Sequence, residues 1–411
     1  MKNKIKNSLL GILVAIIGLS FWNPILVVKA SQVIKSIEAH TYVDDQGQMV
    51  DRFVIEFDSK SGLESMTAAD LDIINNYDGY PLDSTGAPIF TSYEEDDIVL
   101  SWEGNVLTVD VADFKYNASL VGLFEFKSET YPVMNFSATA VTKVVTKTVD
   151  DFLTETFTAS NGVTIPYRLY LSEKKNQPLV IWMHGAGEVG TDNVKPLVAN
   201  RGGVAFAENG YDTNVIAAQY PVKFSVELTD EELAQMNDFF VAYEELLVQL
   251  IDTHKMDKNR VYLTGASMGG GLALKFLTYN PELFTATVVI SSRGTIKDFA
   301  DLEVLKDYPI WLFHGEEDVV NVSSISKDIY NELVRLGNDK AKLTIYDTKA
   351  LNELKLYGPL LHWAWVPTLN DSEMHAWLFE QDKNTVNTKL YMGLGVLAAL
   401  LGSFYLLGRK K

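Results

Sequence analysis

The sequence predicts an α/β protein in which a small all-β domain precedes a larger domain with a mostly parallel sheet flanked by helices. Three observations support this fold class. Residues 32–148 alternate apolar and polar side chains with a period of two, which is typical of half-buried strands. After Val149, apolar strand-like runs alternate with amphipathic helical segments, as in a parallel sheet with crossover helices. A Gly-Ala-Ser-Met-Gly motif at residues 265–269 lies at one strand-to-helix junction.

The N-terminal 30 residues are typical of an export signal. Three lysines within the first six residues precede an apolar stretch at residues 9–22, and a small-residue cleavage site ends at Ala30. Cleavage there would leave a mature protein that begins near Ser31. The alternative is an uncleaved signal anchor, because the apolar character resumes at Ile25 after an interruption.

Residues 31–148 are predicted to form a small β-sandwich. The strand candidates are residues 33–37, 52–57, 98–102, 106–111 and 120–126. Turn signals separate them at residues 45–47 and 103–105. We interpret this domain as a spacer or packing module rather than a carbohydrate-binding module, because no cluster of aromatic or ligand-forming residues stands out.

Residues 149–383 are predicted to form the α/β domain, since a chain of 411 residues exceeds the roughly 250 to 300 residues at which single cores stop growing. A hairpin is expected at residues 154–157 and 163–171, and a buried strand at residues 179–183. Further strands are predicted at residues 215–219, 260–264, 286–290, 310–313 and 343–346. The clearest amphipathic helices are residues 237–254 and 322–336.

Ser267 is the predicted nucleophile. A strand precedes it and an apolar helical segment at residues 272–277 follows it. Such an elbow holds the serine in a strained turn with Oγ exposed, at a helix N-terminus that favours developing negative charge. The small flanking residues let strand and helix approach closely. The alternative is that Ser267 serves only as a helix cap.

Asp318 is the predicted acid. A serine hydroxyl needs a base and a group that orients the base, and in folds with this elbow the acid and then the histidine follow the serine. Asp318 comes just after the apolar strand at residues 310–313, so its carboxylate is expected at the C-terminal edge of the sheet. Glu316 and Glu317 are the alternative candidates for the acid, and we interpret them as solvated loop charges.

His362 is the predicted general base. It and His375 are the histidines that follow Asp318 in the sequence. His362 lies in a loop-like segment, whereas His375 falls within a terminal helical pattern and is the weaker candidate. Structural roles suffice for the remaining histidines: His40, His184, His254 and His314.

Two backbone N–H groups are predicted to form the oxyanion hole. One belongs to Met268, which follows the nucleophile, and the other to Ala186, in the glycine-rich loop after the strand at residues 179–183. Each such donor is often worth about 3 kcal/mol in the transition state. A phosphate-binding loop is the alternative, and the absence of Gly-Lys-Ser/Thr disfavours it.

Several motifs occur together in one order: residues 182–188 with Asp192 and Asn193, residues 257–262 before the elbow, residues 311–315 with Asp318, and His362 with Trp365 and residues 377–379. In this order they resemble the polyhydroxybutyrate-depolymerase and feruloyl-esterase-like branch of the α/β-hydrolases. The resemblance covers about residues 152–381. Two departures from the family pattern are Val189, where relatives often have arginine, and a longer segment at residues 351–361.

The resemblance implies an α/β-hydrolase fold and carboxylesterase activity on short acyl or aryl esters, through an acyl-enzyme on Ser267. Some members carry an immunoglobulin-like N-terminal domain, which fits residues 31–148. No metal or cofactor is implied, and the expected partner is a small-molecule or polymer-linked ester. Two alternatives remain open: a serine peptidase of the same fold, since some relatives are peptidases, and a catalytically inactive surface adhesin.

Residues 384–411 are predicted to contain a membrane anchor. The apolar run at residues 390–407 would span roughly 27 Å as a helix, close to a bilayer core. A basic tail follows, so the rest of the chain is expected on the outer face of the cell. The layout resembles a Gram-positive cell-wall sorting signal, but no Leu-Pro-x-Thr-Gly precedes it, which favours a simple anchor.

Composition excludes several classes of chemistry and partner. The chain contains no cysteine, so neither a thiolate nucleophile nor a disulfide framework is possible. A formal net charge of -19 argues against nucleic acid or anionic lipid as the main partner, because both favour basic surfaces.

Overall fold

The computed structural model describes residues 33–75, 91–116, 124–224, 228–294 and 302–384. The predicted export signal at residues 1–30 and the apolar run at residues 390–407 lie outside these ranges. Within them, no helix combines the length and the apolar character that a membrane crossing requires. Export and anchoring at the outer face of the cell therefore stay predictions from the sequence.

The N-terminal part of the described chain is rich in strands, as the alternating pattern predicted. Its strands are β1 (Ile34–Asp44), β2 (Gly47–Phe57), β3 (Asp72–Asn75), β4 (Thr91–Tyr93), β5 (Ile98–Glu103), β6 (Val106–Lys115), β7 (Phe124–Lys127), β8 (Phe136–Ser137) and β9 (Lys143–Thr146). Over the described residues, one sheet has the order β5-β6-β2-β1-β9 and a second has the order β4-β3-β7-β8. β1 and β2 form an antiparallel hairpin in which Asp44 pairs with Gly47.

Aromatic side chains join the two sheets of this strand-rich region. The ring of Phe53 on β2 lies 5.1 Å from that of Phe124 and 4.9 Å from that of Phe126, both on β7. All three side chains are fully buried. Burial of large apolar side chains is the main favourable term in folding, so this cluster holds the two sheets together.

The second part of the chain contains a mostly parallel sheet. Its strands are β10 (Leu153–Thr158), β11 (Thr164–Tyr170), β12 (Leu179–Met183), β13 (Asn214–Ala218), β14 (Val261–Ala266), β15 (Ala286–Ile290), β16 (Ile310–Gly315) and β17 (Lys342–Tyr346). Among the described residues the order is β10-β11-β13-β12-β14-β15-β16-β17. β10 and β11 pair antiparallel, as β11 and β13 do. The remaining neighbours in the sheet, β13-β12-β14-β15-β16-β17, pair in parallel. The predicted α/β class is confirmed.

Helices cover both faces of this sheet. They are α1 (Lys195–Val198), α2 (Gly202–Glu208), α3 (Asp230–His254), α4 (Met268–Tyr279), α5 (Ser324–Arg335), α6 (Thr348–Glu353), α7 (Trp365–Leu369) and α8 (Ser372–Glu380). α3 begins seven residues before the predicted start at 237, because Thr229 and Glu232 form a capping box. The first turns of α3 are mostly polar, so apolar periodicity alone did not mark them.

The turn between β1 and β2 contacts the α/β region. Asn370 Nδ2 donates a hydrogen bond to Asp45 Oδ1 at 2.8 Å, and Arg201 lies 3.9 Å from the same carboxylate. A methyl group on Gly47 would lie 3.0 Å from the carbonyl oxygen of Ala199, so the backbones of the two regions meet closely. These contacts suit a domain that packs against its neighbour.

The glycines of the 265–269 motif permit the elbow. A methyl group on Gly269 would lie 1.9 Å from the carbonyl oxygen of Met183, and one on Gly265 would lie 2.5 Å from the carbonyl oxygen of Gly269. Both carbonyl oxygens belong to the backbone, so neither can shift unless its strand or helix shifts with it. α4 therefore packs directly on the backbone of β12 only because these positions lack side chains.

Gly269→Ala is expected to lower the free energy of unfolding by about 3 kcal/mol, because a methyl group forced against the backbone is a severe case of overpacking. Gly187→Ala is the matched control, since a methyl group there meets no described atom within 4 Å. It should change stability by less than about 0.5 kcal/mol. Denaturant titration followed by tryptophan fluorescence measures both, and equal stabilities of the two variants would contradict the close contact.

Candidate active site

Ser267 lies in the turn between β14 and α4, with φ 55° and ψ -120°. Few residues other than glycine adopt a positive φ, and such strain persists only where the surroundings hold it. Here the Ser267 N–H donates to Ile290 at 2.9 Å, and the Ser267 carbonyl accepts from Gly271 and Arg293 at 3.2 Å each. The neighbouring strand and helix thus hold the serine in the strained turn.

His362 lies within hydrogen-bond distance of both Ser267 and Asp318. His362 Nε2 is 3.0 Å from Ser267 Oγ, and His362 Nδ1 is 2.7 Å from Asp318 Oδ2. An ionised carboxylate only accepts hydrogen bonds, so Nδ1 carries the proton and Nε2 is free to accept from the serine hydroxyl. His362 ends a short 3-10 helix, Gly358–His362, rather than lying in an irregular loop.

Asp318 is buried, and both of its carboxylate oxygens accept hydrogen bonds. Its Oδ1 accepts the backbone N–H groups of Val320 at 2.8 Å and Asn321 at 2.9 Å. Burial by itself raises the pKa of this carboxyl group, but hydrogen bonds from His314, His362 and the Asn321 backbone outweigh burial and lower the pKa below its usual value. Asp318 therefore stays ionised at neutral pH and can orient His362.

Glu316 and Glu317, the rivals of Asp318, are both exposed, in agreement with their interpretation as solvated charges.

His314 is a second histidine partner of Asp318, which sequence reasoning missed. It is fully buried, its Nε2 lies 2.7 Å from the Asn321 carbonyl oxygen and 3.2 Å from Asp318 Oδ2, and its Nδ1 lies 2.8 Å from Ser326 Oγ. Because a carbonyl oxygen only accepts, Nε2 is the donor. The sequence offered one indication of this contact, because His314 stands four residues before Asp318. That spacing alone does not determine the distance between the two side chains.

The glycine-rich loop after β12 lies beside the nucleophile. A methyl group on Gly185 would be 3.6 Å from Ser267 Cβ, and Ala186–Glu188 forms a 3-10 turn. Among the described residues, the N–H groups of Ala186 and Met268 have no hydrogen-bond acceptor. Both predicted oxyanion donors thus belong to segments next to Ser267.

His184 holds the peptide unit that carries the Ala186 N–H. Its Nε2 accepts the Tyr220 N–H at 2.9 Å, so its Nδ1 carries the proton and donates to the Gly185 carbonyl at 2.7 Å. The Gly185 carbonyl and the Ala186 N–H share one planar unit, so fixing the first directs the second. Burial lowers the pKa of His184 to about 4, which keeps the ring neutral. Sequence reasoning had assigned it only a structural role.

His375 makes structural contacts in α8. Its Nε2 lies 2.9 Å from the Leu369 carbonyl oxygen, and its Nδ1 lies 3.2 Å from Asn209 Nδ2. Its ring packs edge-on against Phe206. The described residues include no group of three or more His, Cys, Asp or Glu side chains placed to hold a metal ion.

A family model described as Abhydrolase_2, Phospholipase/Carboxylesterase, matches residues 168–353. The matched range contains Ala186, Ser267, Met268 and Asp318, and it ends before His362. A search among curated proteins gives no significant match.

Solved structures of three hydrolases are similar to this chain. A thermostable esterase has 25% sequence identity and a TM-score of 0.62, and the match covers 85% of this chain and 100% of that chain. A ferulic acid esterase has 15% identity and a TM-score of 0.38, with 52% and 98% covered. An S-formylglutathione hydrolase from Staphylococcus aureus has 12% identity and a TM-score of 0.39, with 54% and 96% covered. The coverage of the first match extends beyond the α/β region into the strand-rich region.

Proposed function

We propose that this chain, an esterase-like hydrolase of the α/β-hydrolase fold, is a serine carboxylesterase that acts through an acyl-enzyme on Ser267. The observation that carries the proposal is the chain of hydrogen bonds from Ser267 Oγ through His362 to Asp318, with distances of 3.0 and 2.7 Å. A nucleophile, a base and an orienting acid within hydrogen-bond reach are the requirements of acyl transfer.

The first half-reaction forms the acyl-enzyme. Ser267 Oγ attacks the ester carbonyl carbon while His362 Nε2 takes the hydroxyl proton, and Asp318 stabilises the imidazolium through Nδ1–H. The carbonyl oxygen becomes an oxyanion that accepts hydrogen bonds from the N–H groups of Met268 and Ala186. The C–O bond to the alcohol then breaks, and His362 gives its proton to the leaving oxygen.

The second half-reaction releases the acid. Water attacks the acyl carbon, and His362 Nε2 accepts the proton of that water. The bond from Ser267 Oγ to the acyl carbon then breaks, and the proton returns from His362 to the serine oxygen. The products are a carboxylic acid and the free enzyme.

Exposed apolar side chains that follow Asp318 in the sequence favour uncharged esters as substrates. Val319, Val320 and Val322 follow the acid directly, and 69%, 55% and 55% of their surfaces are exposed. Exposed apolar side chains clustered next to catalytic groups are typical of binding surfaces.

Substrate panels test the proposal against its alternatives. We expect p-nitrophenyl esters, feruloyl esters or acetylated sugars to be hydrolysed at least 100-fold faster than aminoacyl p-nitroanilides at equal concentration. The reverse ratio would favour the serine peptidase. No turnover of any substrate, together with no labelling of Ser267 by a fluorophosphonate, would favour the inactive adhesin.

A further inference from the structure

We propose that Glu188 is a positioning residue that holds the Ala186 N–H in the direction the oxyanion requires; this inference rests on the proposed function. Glu188 closes the turn that contains this donor. It has no hydrogen bond to Ser267 or His362, and its link to the Ala186 N–H runs through the backbone of Gly185.

Glu188 binds both backbone groups of Gly185. The Gly185 N–H donates to Glu188 Oε2 at 2.6 Å, and the Glu188 N–H donates to the Gly185 carbonyl at 3.3 Å. The Gly185 carbonyl belongs to the same planar unit as the Ala186 N–H. With its N–H and its carbonyl both held, Gly185 has little freedom to rotate, and glycine otherwise has more such freedom than any other residue.

The carboxyl group of Glu188 is itself held in place. Glu188 is buried, and its Oε1 accepts a hydrogen bond from Asn200 Nδ2 at 3.2 Å. Asn200 is anchored in turn, because its Oδ1 accepts the Gly202 N–H at 2.9 Å. The Glu188 carbonyl accepts from Gln219 Nε2 at 2.9 Å. Because Glu188 is held by these hydrogen bonds, the loop already has its final conformation before the substrate binds.

The position is an unfavourable one for a carboxyl group. Burial raises the pKa of Glu188 to about 7, although hydrogen bonds from Gly185 and Asn200 partly oppose the change. Turns of this kind also form with carboxylates that are only partly buried, as Thr229 and Glu232 show at the start of α3. Titratable groups with such altered pKa values cluster at functional sites, in agreement with the place of Glu188 beside the oxyanion donor.

Glu188→Ala tests the proposal with a p-nitrophenyl ester as substrate. We expect kcat to fall about 100-fold while KM stays within about threefold, because the lost interaction operates only in the transition state. The affinity for a trifluoromethyl ketone, which forms an oxyanion on Ser267, should fall in parallel. Glu188→Gln retains an oxygen that can accept the Gly185 N–H, so its kcat should remain within about tenfold of the parent enzyme.

Thermal unfolding of each variant and Glu353→Ala, an exposed glutamate on α6, are the controls. If Glu188→Ala does not fold, Asn200→Ala leaves the contact with Gly185 but frees the carboxyl group, and its kcat should fall about tenfold. An unchanged kcat in the folded variants, a change confined to KM, or a Glu188→Gln variant as impaired as the alanine variant would overturn the inference. Loss of the proposed function is distinguishable, because the parent enzyme would then lack ester hydrolysis altogether.

Discussion

Replacing Ser267 with alanine is expected to reduce kcat/KM for a p-nitrophenyl ester by about 10⁴-fold or more. The side chain supplies the attacking oxygen, and serine hydrolases that lose their nucleophile retain only what the oxyanion hole and substrate binding provide. The fold should persist, because alanine tolerates the positive φ of 55° as well as serine does. Initial-rate kinetics together with circular dichroism measure the two effects separately.

Ser291→Ala is the matched control for this experiment. Ser291 follows β15, has a φ of 46° and is buried, and among the described residues its Oγ has no hydrogen-bond partner. Its replacement should leave kcat/KM within about threefold of the parent enzyme. Substantial turnover by Ser267→Ala, or an equal loss of kcat/KM in both variants, would contradict the assignment of Ser267 as the nucleophile.

Replacing His362 with alanine should be nearly as damaging, with a loss of about 10⁴-fold or more in kcat. Its Nε2 lies 3.0 Å from Ser267 Oγ, and no other histidine has a hydrogen bond to that oxygen among the described residues. Without this base the serine hydroxyl remains protonated and nucleophilic attack is slow. The measurement is kcat at saturating ester, combined with the rate of fluorophosphonate labelling.

His375→Ala provides the comparison, because both histidines follow Asp318 in the sequence. His375 bonds to Leu369 and Asn209, so its loss should lower the melting temperature while kcat changes by less than about fivefold. If instead His375→Ala abolished turnover and His362→Ala preserved it, the general base would have to be reassigned.

Local sequence patterns located most of the secondary structure. β12 occupies residues 179–183 as predicted, because a run of apolar residues suits a strand buried on both faces. The prediction for α3 began late, since a polar first turn carries no apolar periodicity. The segment before His362 was expected to be a loop, but a regular 3-10 helix begins at Gly358, and Pro359 is tolerated within its first turn.

The α/β class and the candidates Ser267, Asp318 and His362 could be predicted from the sequence, because strand periodicity, the glycine-flanked elbow and the order of the three residues are local or sequential properties. The distances between these three residues could not be predicted, since His362 contacts a serine 95 positions earlier and an acid 44 positions earlier in the chain. The roles of His184, His314 and Glu188 likewise depend on which donor or acceptor each buried side chain meets. Hydrogen bonds act over about 3 Å, and only the folded chain brings such distant residues that close.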